Sequence, residues 1–109
     1  EWGGVMIEID LHIQHHFSDG VYAKQMVLKK GHFAVSHKHT YNHMSILASG
    51  TAVVEVDGIE NIYTAGSCIE ISAGIEHKIT ALEDVIWFCI HRTDETDIEK
   101  IDQVLIEKE

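Results

Sequence analysis

The sequence contains no proline. No X-Pro isomerisation step exists in its folding, and glycine must supply the sharp corners of the chain. Cysteine is nearly as scarce. Cys68 and Cys89 are the two present, in apolar strand-like runs with neither the C-x-x-C spacing nor the density of a disulfide scaffold. Both are expected to be buried free thiols of a reducing compartment. With no secretory signal visible, although the chain opens at Glu1 without a methionine, a cytoplasmic location is the expectation. Basic residues are also few. Eight Lys and Arg stand against 18 Asp and Glu, and a net charge of −10 repels the phosphate backbone that dominates nucleic-acid affinity. Nucleic acid is therefore not an expected partner, and the acidity reads as a solvated surface that also raises the local cation concentration. The longest strongly apolar runs, such as Val85 to Ile90, fall far short of the roughly 20 residues that cross a bilayer, so no membrane partner is expected. A glycine-rich phosphate loop and a nucleophile elbow are both missing, which disfavours hydrolysis by a serine or cysteine triad.

What the sequence does hold is a series of short runs rich in Val, Ile, Tyr and Phe, separated by glycines and small polar residues. This is the pattern of an all-β protein. Strands are expected at Val5 to Leu11, Val21 to Lys29, Phe33 to Ser36, His43 to Ser49, Thr51 to Val56, Ile59 to Tyr63, Cys68 to Ile71, His77 to Leu82 and Val85 to His91. Their close, regular spacing suggests a sandwich or barrel. Asp57-Gly58 marks the clearest hairpin, since those residues supply the two positive φ angles of a type I′ turn. After His91 the pattern changes. Thr96-Asp97-Ile98-Glu99 fits a capping box, and Ile98, Ile101 and Leu105 fall at helical spacing, so a C-terminal helix is expected over about 94–107. Its apolar stripe is expected to pack on the outside of the barrel or on a partner subunit. At 109 residues the chain is long enough for one hydrophobic core and too short for two ordinary domains. One domain over 1–109 is expected, with its barrel at about 5–91.

Nine histidines are an excess for this length. His37 and His39 flank Lys38, and in an extended stretch side chains two apart point to the same face, so both imidazoles can reach one point inside a barrel. His43 follows after a turn through Tyr41-Asn42, and His77 begins another strand. Neutral imidazole is the commonest protein ligand for Zn, Fe, Ni and Cu. Convergent imidazoles without thiolate suit a catalytic or redox-capable ion better than a structural zinc. His15-His16 are adjacent and must face opposite ways in a strand, which suits surface or entrance roles, and His12 and His32 carry no special pattern.

Gly31, five residues, His37-x-His39, three residues, His43, six residues, Gly50 resembles the first cupin motif, G-x5-H-x-H-x3-E-x6-G, with His43 in place of the glutamate. Gly66, five residues, Ser72-x-Gly74, two residues, His77 resembles the second, G-x5-P-x-G-x2-H-x3-N, with Ser72 and Ala81 replacing the proline and asparagine. The resemblance covers residues 31 to 81. It implies a jelly-roll β-barrel, followed here by the short C-terminal α-helix, with one divalent transition-metal ion (Fe, Mn, Ni, Zn or Cu) held by His37, His39, His43 and His77. Replacing glutamate by His43 removes one negative ligand, so a bound M(II) keeps its full +2 charge and is a stronger Lewis acid. Small cupins similar to this chain commonly pair, which implies a homodimer.

If His77 faces the barrel interior, Ile79 does too, and alternation groups Trp87, Cys89 and His91 on one face of the last strand. Similarity to small cupins favours that face pointing inward. Ile79, Trp87, Cys89 and His91 are then the expected substrate-binding residues of a mostly apolar pocket for a small organic ligand, with His91 as the one non-ligand acid or base. Family members include dioxygenases, isomerases, decarboxylases, lyases, storage proteins and sugar-binding regulators, so fold alone leaves the reaction open. The expected function is a metal-dependent, dioxygenase-like oxidoreductase. The alternatives are a non-catalytic metal- or ligand-binding or sensing module and a Lewis-acid isomerase or lyase.

Overall fold

The structure is a computed structural model that describes residues 11–36 and 42–101. It contains nine strands in chain order: β1 (Gln14–Ser18), β2 (Val21–Leu28), β3 (Phe33–Val35), β4 (His43–Ser49), β5 (Thr51–Val56), β6 (Ile59–Thr64), β7 (Ser67–Ile71), β8 (His77–Ala81) and β9 (Val85–Arg92). They form two antiparallel sheets, one in the order β1-β2-β9-β4-β7 and the other β3-β8-β5-β6. Non-consecutive neighbours in both sheets are the mark of a jelly roll rather than a simple meander.

Strict alternation explains why the sheets face one another. On β2 every second residue from Tyr22 to Leu28 is buried, and on β9 the buried set runs Val85, Trp87, Cys89, His91. Side chains of an extended strand alternate between faces, so one face of each strand is committed to the core. Met26, Leu28, Leu47 and Trp87 from the first sheet meet Ala34, Ala52, Ile79 and Ala81 from the second, all 0–1% exposed. Burying each large side chain contributes about 1.5–3 kcal/mol relative to leaving it in water.

Eight of the nine strands expected from sequence are present. The first, at Val5 to Leu11, lies outside the described residues except for Leu11, whose carbonyl accepts the Val27 N–H at 2.7 Å. The hairpin at Asp57-Gly58 has both φ angles positive, 52° and 77°, as a type I′ turn requires. Strand β1 was not expected. Asp19-Gly20, with φ of 39° and 83°, turns it onto β2, so the same Asp-Gly signal was present in the sequence. The polar run Gln14-His15-His16 hid the strand.

One expectation is corrected and a second holds over a shorter span than expected. Cys68 is exposed rather than buried, because Ile69 and Ile71 take the inner face of β7 and alternation sends Cys68 and Glu70 outward; both thiols are nonetheless free. The C-terminal helix expected over about 94–107 is not seen at 94–100, and among the described residues only Ile101 is helical. Glu95 Oε2 accepts the Thr96 and Asp97 N–H groups and Asp97 Oδ1 accepts that of Glu99, so side-chain-capped turns occupy the first residues of the expected helix. Residues 98–100 form a turn, and 102–107 lie outside the described residues. Ile101 packs on Tyr22 and Phe17, while Ile98 is 55% exposed. No helix among the described residues is long and apolar enough to cross a membrane.

Candidate metal and ligand site

His43 opens β4 and His77 opens β8, in opposite sheets, and both are buried on the inner face. They meet at a narrow cleft lined also by Ser36, Ser45, Ile71, Ile79 and Trp87. Its free space totals about 170 Å³, yet none of it admits a free water molecule. Two loops hold the histidines in register. Asn42 Oδ1 accepts the Ala73 N–H at 2.7 Å, tying the entry to β4 to the turn that leads into β8. Ser36 N–H donates to the His77 carbonyl at 2.9 Å, and the His77 N–H donates to Ser36 Oγ at 3.3 Å. Ser36 immediately precedes His37, and both His37 and His39 lie outside the described residues.

The His77 ring has one nitrogen committed to the backbone and one left open. Its Nδ1 lies 3.0 Å from the Ile75 carbonyl, which can only accept, so Nδ1 carries the proton and Nε2 keeps the lone pair. Burial lowers the His77 pKa; the Ile75 carbonyl and the Asp57 charge oppose that shift without reversing it. A neutral imidazole with a committed outer nitrogen is the form that binds metals. Among the described residues no three His, Cys, Asp or Glu side chains converge as a metal site, so His43 and His77 represent half of the expected ligand set there. Outside the cleft, Glu55, Asp57 and Glu76 line a crevice of about 440 Å³ with Lys78. The carboxylates make that approach attractive to cations.

The expected pocket residues are all on the inner face. Trp87, Cys89 and His91 are 0%, 1% and 3% exposed and Ile79 is 1%. Ile79 and Trp87 line the cleft with His43 and His77. His91 lies beside His43, ring centroids 4.3 Å apart, and stacks on Tyr22 at 6.0 Å. Tyr22 in turn hydrogen-bonds through its hydroxyl to His15 Nδ1 at 2.7 Å. His15 therefore turns toward the interior while His16 points out to Gln25 Oε1, as adjacent strand residues must. Sequence reasoning missed Ser36, Ser45, Tyr22 and Lys24 as inner-wall residues. Lys24 is 4% exposed in a strand whose alternation was itself the available signal.

A two-sheet jelly-roll barrel with imidazoles from both sheets on its inner wall defines the class of this molecule. The family model described as Cupin domain matches residues 24–91, and the chain belongs to that family. Solved structures share the fold at low identity. A Cupin 2 conserved barrel domain protein from Salinispora arenicola is 15% identical, with 87% of this chain and 84% of that one covered and a TM-score of 0.63. The Cupin_2 domain of an XRE family transcriptional regulator from Enterobacter cloacae is 13% identical over 76% of this chain and 96% of that one, TM-score 0.64. A putative ethanolamine utilization protein from Salmonella typhimurium is 15% identical over 76% and 69%, TM-score 0.64. No curated protein matches the chain.

Proposed function

We propose that the barrel holds one divalent transition-metal ion through His37, His39, His43 and His77 and acts as a dioxygenase-like oxidoreductase on a small organic substrate. The observation that carries the reading is the meeting of His43 and His77 at one buried cleft, with the His77 Nδ1 proton committed to the Ile75 carbonyl. A bound ion would supply Lewis acidity and, for iron, manganese or copper, redox capacity. The chain's own residues do the rest. Ile71, Ile79 and Trp87 exclude water, Ile75 fixes the ring of His77, and His91 stands beside His43 as the acid or base nearest the ligands.

Metal content of protein purified without added metal tests this. One equivalent of iron, manganese or copper is expected, falling at least about tenfold in occupancy in His43→Ala and His77→Ala, a scale that even outer-shell losses reach. Retention of a tightly bound ion in both variants would end the reading. Zinc alone would move it to Lewis-acid isomerase or lyase chemistry. A non-catalytic sensing module is the second reading, supported by the closed cleft and by a neighbour that is the cupin domain of a transcriptional regulator. A homodimer and a cytoplasmic location complete the proposal.

A further inference from the structure

Five rings run from the buried histidine of β4 to the edge of its sheet. His43 and His91 have ring centroids 4.3 Å apart, and His91 stacks on Tyr22 at 6.0 Å. Tyr22 stacks in turn on Phe17 at 4.9 Å and on His15 at 5.8 Å. Register makes this row: Tyr22 faces His91 across β2 and β9 and Phe17 across β1 and β2, so all three side chains fall on one face of the sheet. Tyr22 is 0% exposed and packs with Phe17 and Ile101, its hydroxyl 2.7 Å from His15 Nδ1. The two ends of the row differ in kind. Toward His43 the contacts are between rings, which pass an electron; at His15 there is a hydrogen bond, which passes a proton. A phenol that loses an electron becomes a strong acid, and its charge is costly in so dry a place unless the proton leaves too.

We propose that Tyr22 is a one-electron donor to the metal site, with His15 in its Nε2–H form taking the phenolic proton at Nδ1, and that this pair drains oxidising equivalents left at the ligands when no substrate is present. The role rests on the metal site proposed above. The oxidant is hydrogen peroxide. Its reduction to two waters takes two protons from solvent and two electrons, one from the divalent ion and one from Tyr22 by way of His91 and His43. The O–H bond of Tyr22 breaks and an N–H bond forms at His15 Nδ1, leaving a neutral phenoxyl radical beside an imidazolium. His15 lies half-buried on β1, the edge strand of its sheet. A small reductant such as ascorbate supplies the electron that closes the cycle, and the proton returns to Tyr22 from His15.

The test uses the full-length chain loaded with iron(II), mixed with hydrogen peroxide and freeze-quenched for electron paramagnetic resonance, with metal content measured on the same samples. A tyrosyl radical signal is expected, and its loss in Tyr22→Phe at unchanged metal content. His15→Gln keeps a hydrogen-bond acceptor but no base, so it should lower the radical yield at least about tenfold, where a purely structural role would leave the yield intact. A signal that survives Tyr22→Phe belongs to Tyr41 or Tyr63 and overturns the proposal, as do a wild-type yield in His15→Gln and a silent wild type that holds its iron. If Tyr22→Phe does not fold, the double variant Tyr41→Phe, Tyr63→Phe decides: with Tyr22 its one remaining tyrosine, it must keep the signal. If the chain takes up no iron, the metal reading fails by itself, and photo-oxidation of the metal-free chain by a ruthenium tris-bipyridyl complex decides the tyrosine. A Tyr22 radical that depends on His15 then leaves the two standing as a redox pair, and its absence overturns them.

Discussion

Cys68 and Cys89 differ in side of the sheet, and their chemistry follows. Burial pushes the Cys89 thiol up to about 12, against the Ser45 hydrogen bond and the Lys24 charge, whereas Cys68 lies on the solvent face. Reaction with a disulfide reagent at pH 8 should therefore label one thiol per folded chain and two after denaturation, since the thiolate is the reactive form. Labelling of two thiols in the folded protein would contradict the inward placement of Cys89. The same shift predicts a pH dependence of stability. The folded pKa lies above the ordinary 9.0, so the unfolded chain releases this proton first and gains stability as pH rises. The contribution is fully present below pH 9 and declines between about 9 and 12, by about 1.4 kcal/mol per pH unit at most. Cys89→Ala should flatten that decline in urea denaturation series.

At the scale of elements, the turns carry the constraint that proline leaves to glycine. Gly50, between β4 and β5, has φ of 87°, and a Cβ there would collide with the backbone carbonyl of Asp84 in the turn before β9. Gly58 has a similar φ, 77°, but open space around it. Gly58→Ala should cost about 1–2 kcal/mol for left-handed backbone alone. Gly50→Ala should cost more than about 3 kcal/mol, because the strain of the angle is joined by the need to push two turns apart. Urea midpoints of the two variants measure the difference, and equal losses would show that the close approach at Gly50 relaxes freely. Asp84 ties this corner from the other side: its Oδ1 accepts the Lys30 N–H at 2.9 Å, and that bond leads the lowering of its carboxyl pKa.

At the scale of the whole molecule, the outer face of the β3-β8-β5-β6 sheet carries an apolar row, Phe33, Thr80, Val53 and Ile62, neighbours across successive strands. Phe33 is 42% and Ile62 67% exposed. The adjacent row, Val35, Lys78, Glu55 and Glu60, sets a cation beside anions, so a two-fold axis through the sheet would pair Lys78 of one copy with the carboxylates of the other. A second copy of the chain is the occupant that this pattern favours. Sedimentation at micromolar concentration should show a species of about twice 12.3 kDa, reduced to the monomer by Ile62→Glu. A wild-type protein that sediments only at 12.3 kDa would rule the pairing out.

Much of the barrel was legible because its strands obey two local rules. Alternation with period two grouped Trp87, Cys89 and His91 on one face of β9, which the resemblance to small cupins turned inward, and glycine at positive φ marked the corners at Gly31, Gly50, Gly58, Gly66 and Gly74. Strand β1 failed the first rule, since Gln14, His15 and His16 carry no apolar alternation. The expected capping box of Thr96 and Glu99 is displaced, because Glu95 Oε2 takes the Thr96 N–H and Asp97 Oδ1 takes that of Glu99. By itself the sequence determined the all-β class, the family and the motif histidines, all of which depend on residue types at short spacing along the chain. Only the tertiary structure decided that Ser45, Trp87 and Lys24 share a wall with Cys89, and that His77 receives its tautomer from Ile75. Those facts depend on strand order and register between segments far apart in sequence, which are set by the packing of two sheets and leave no local signature.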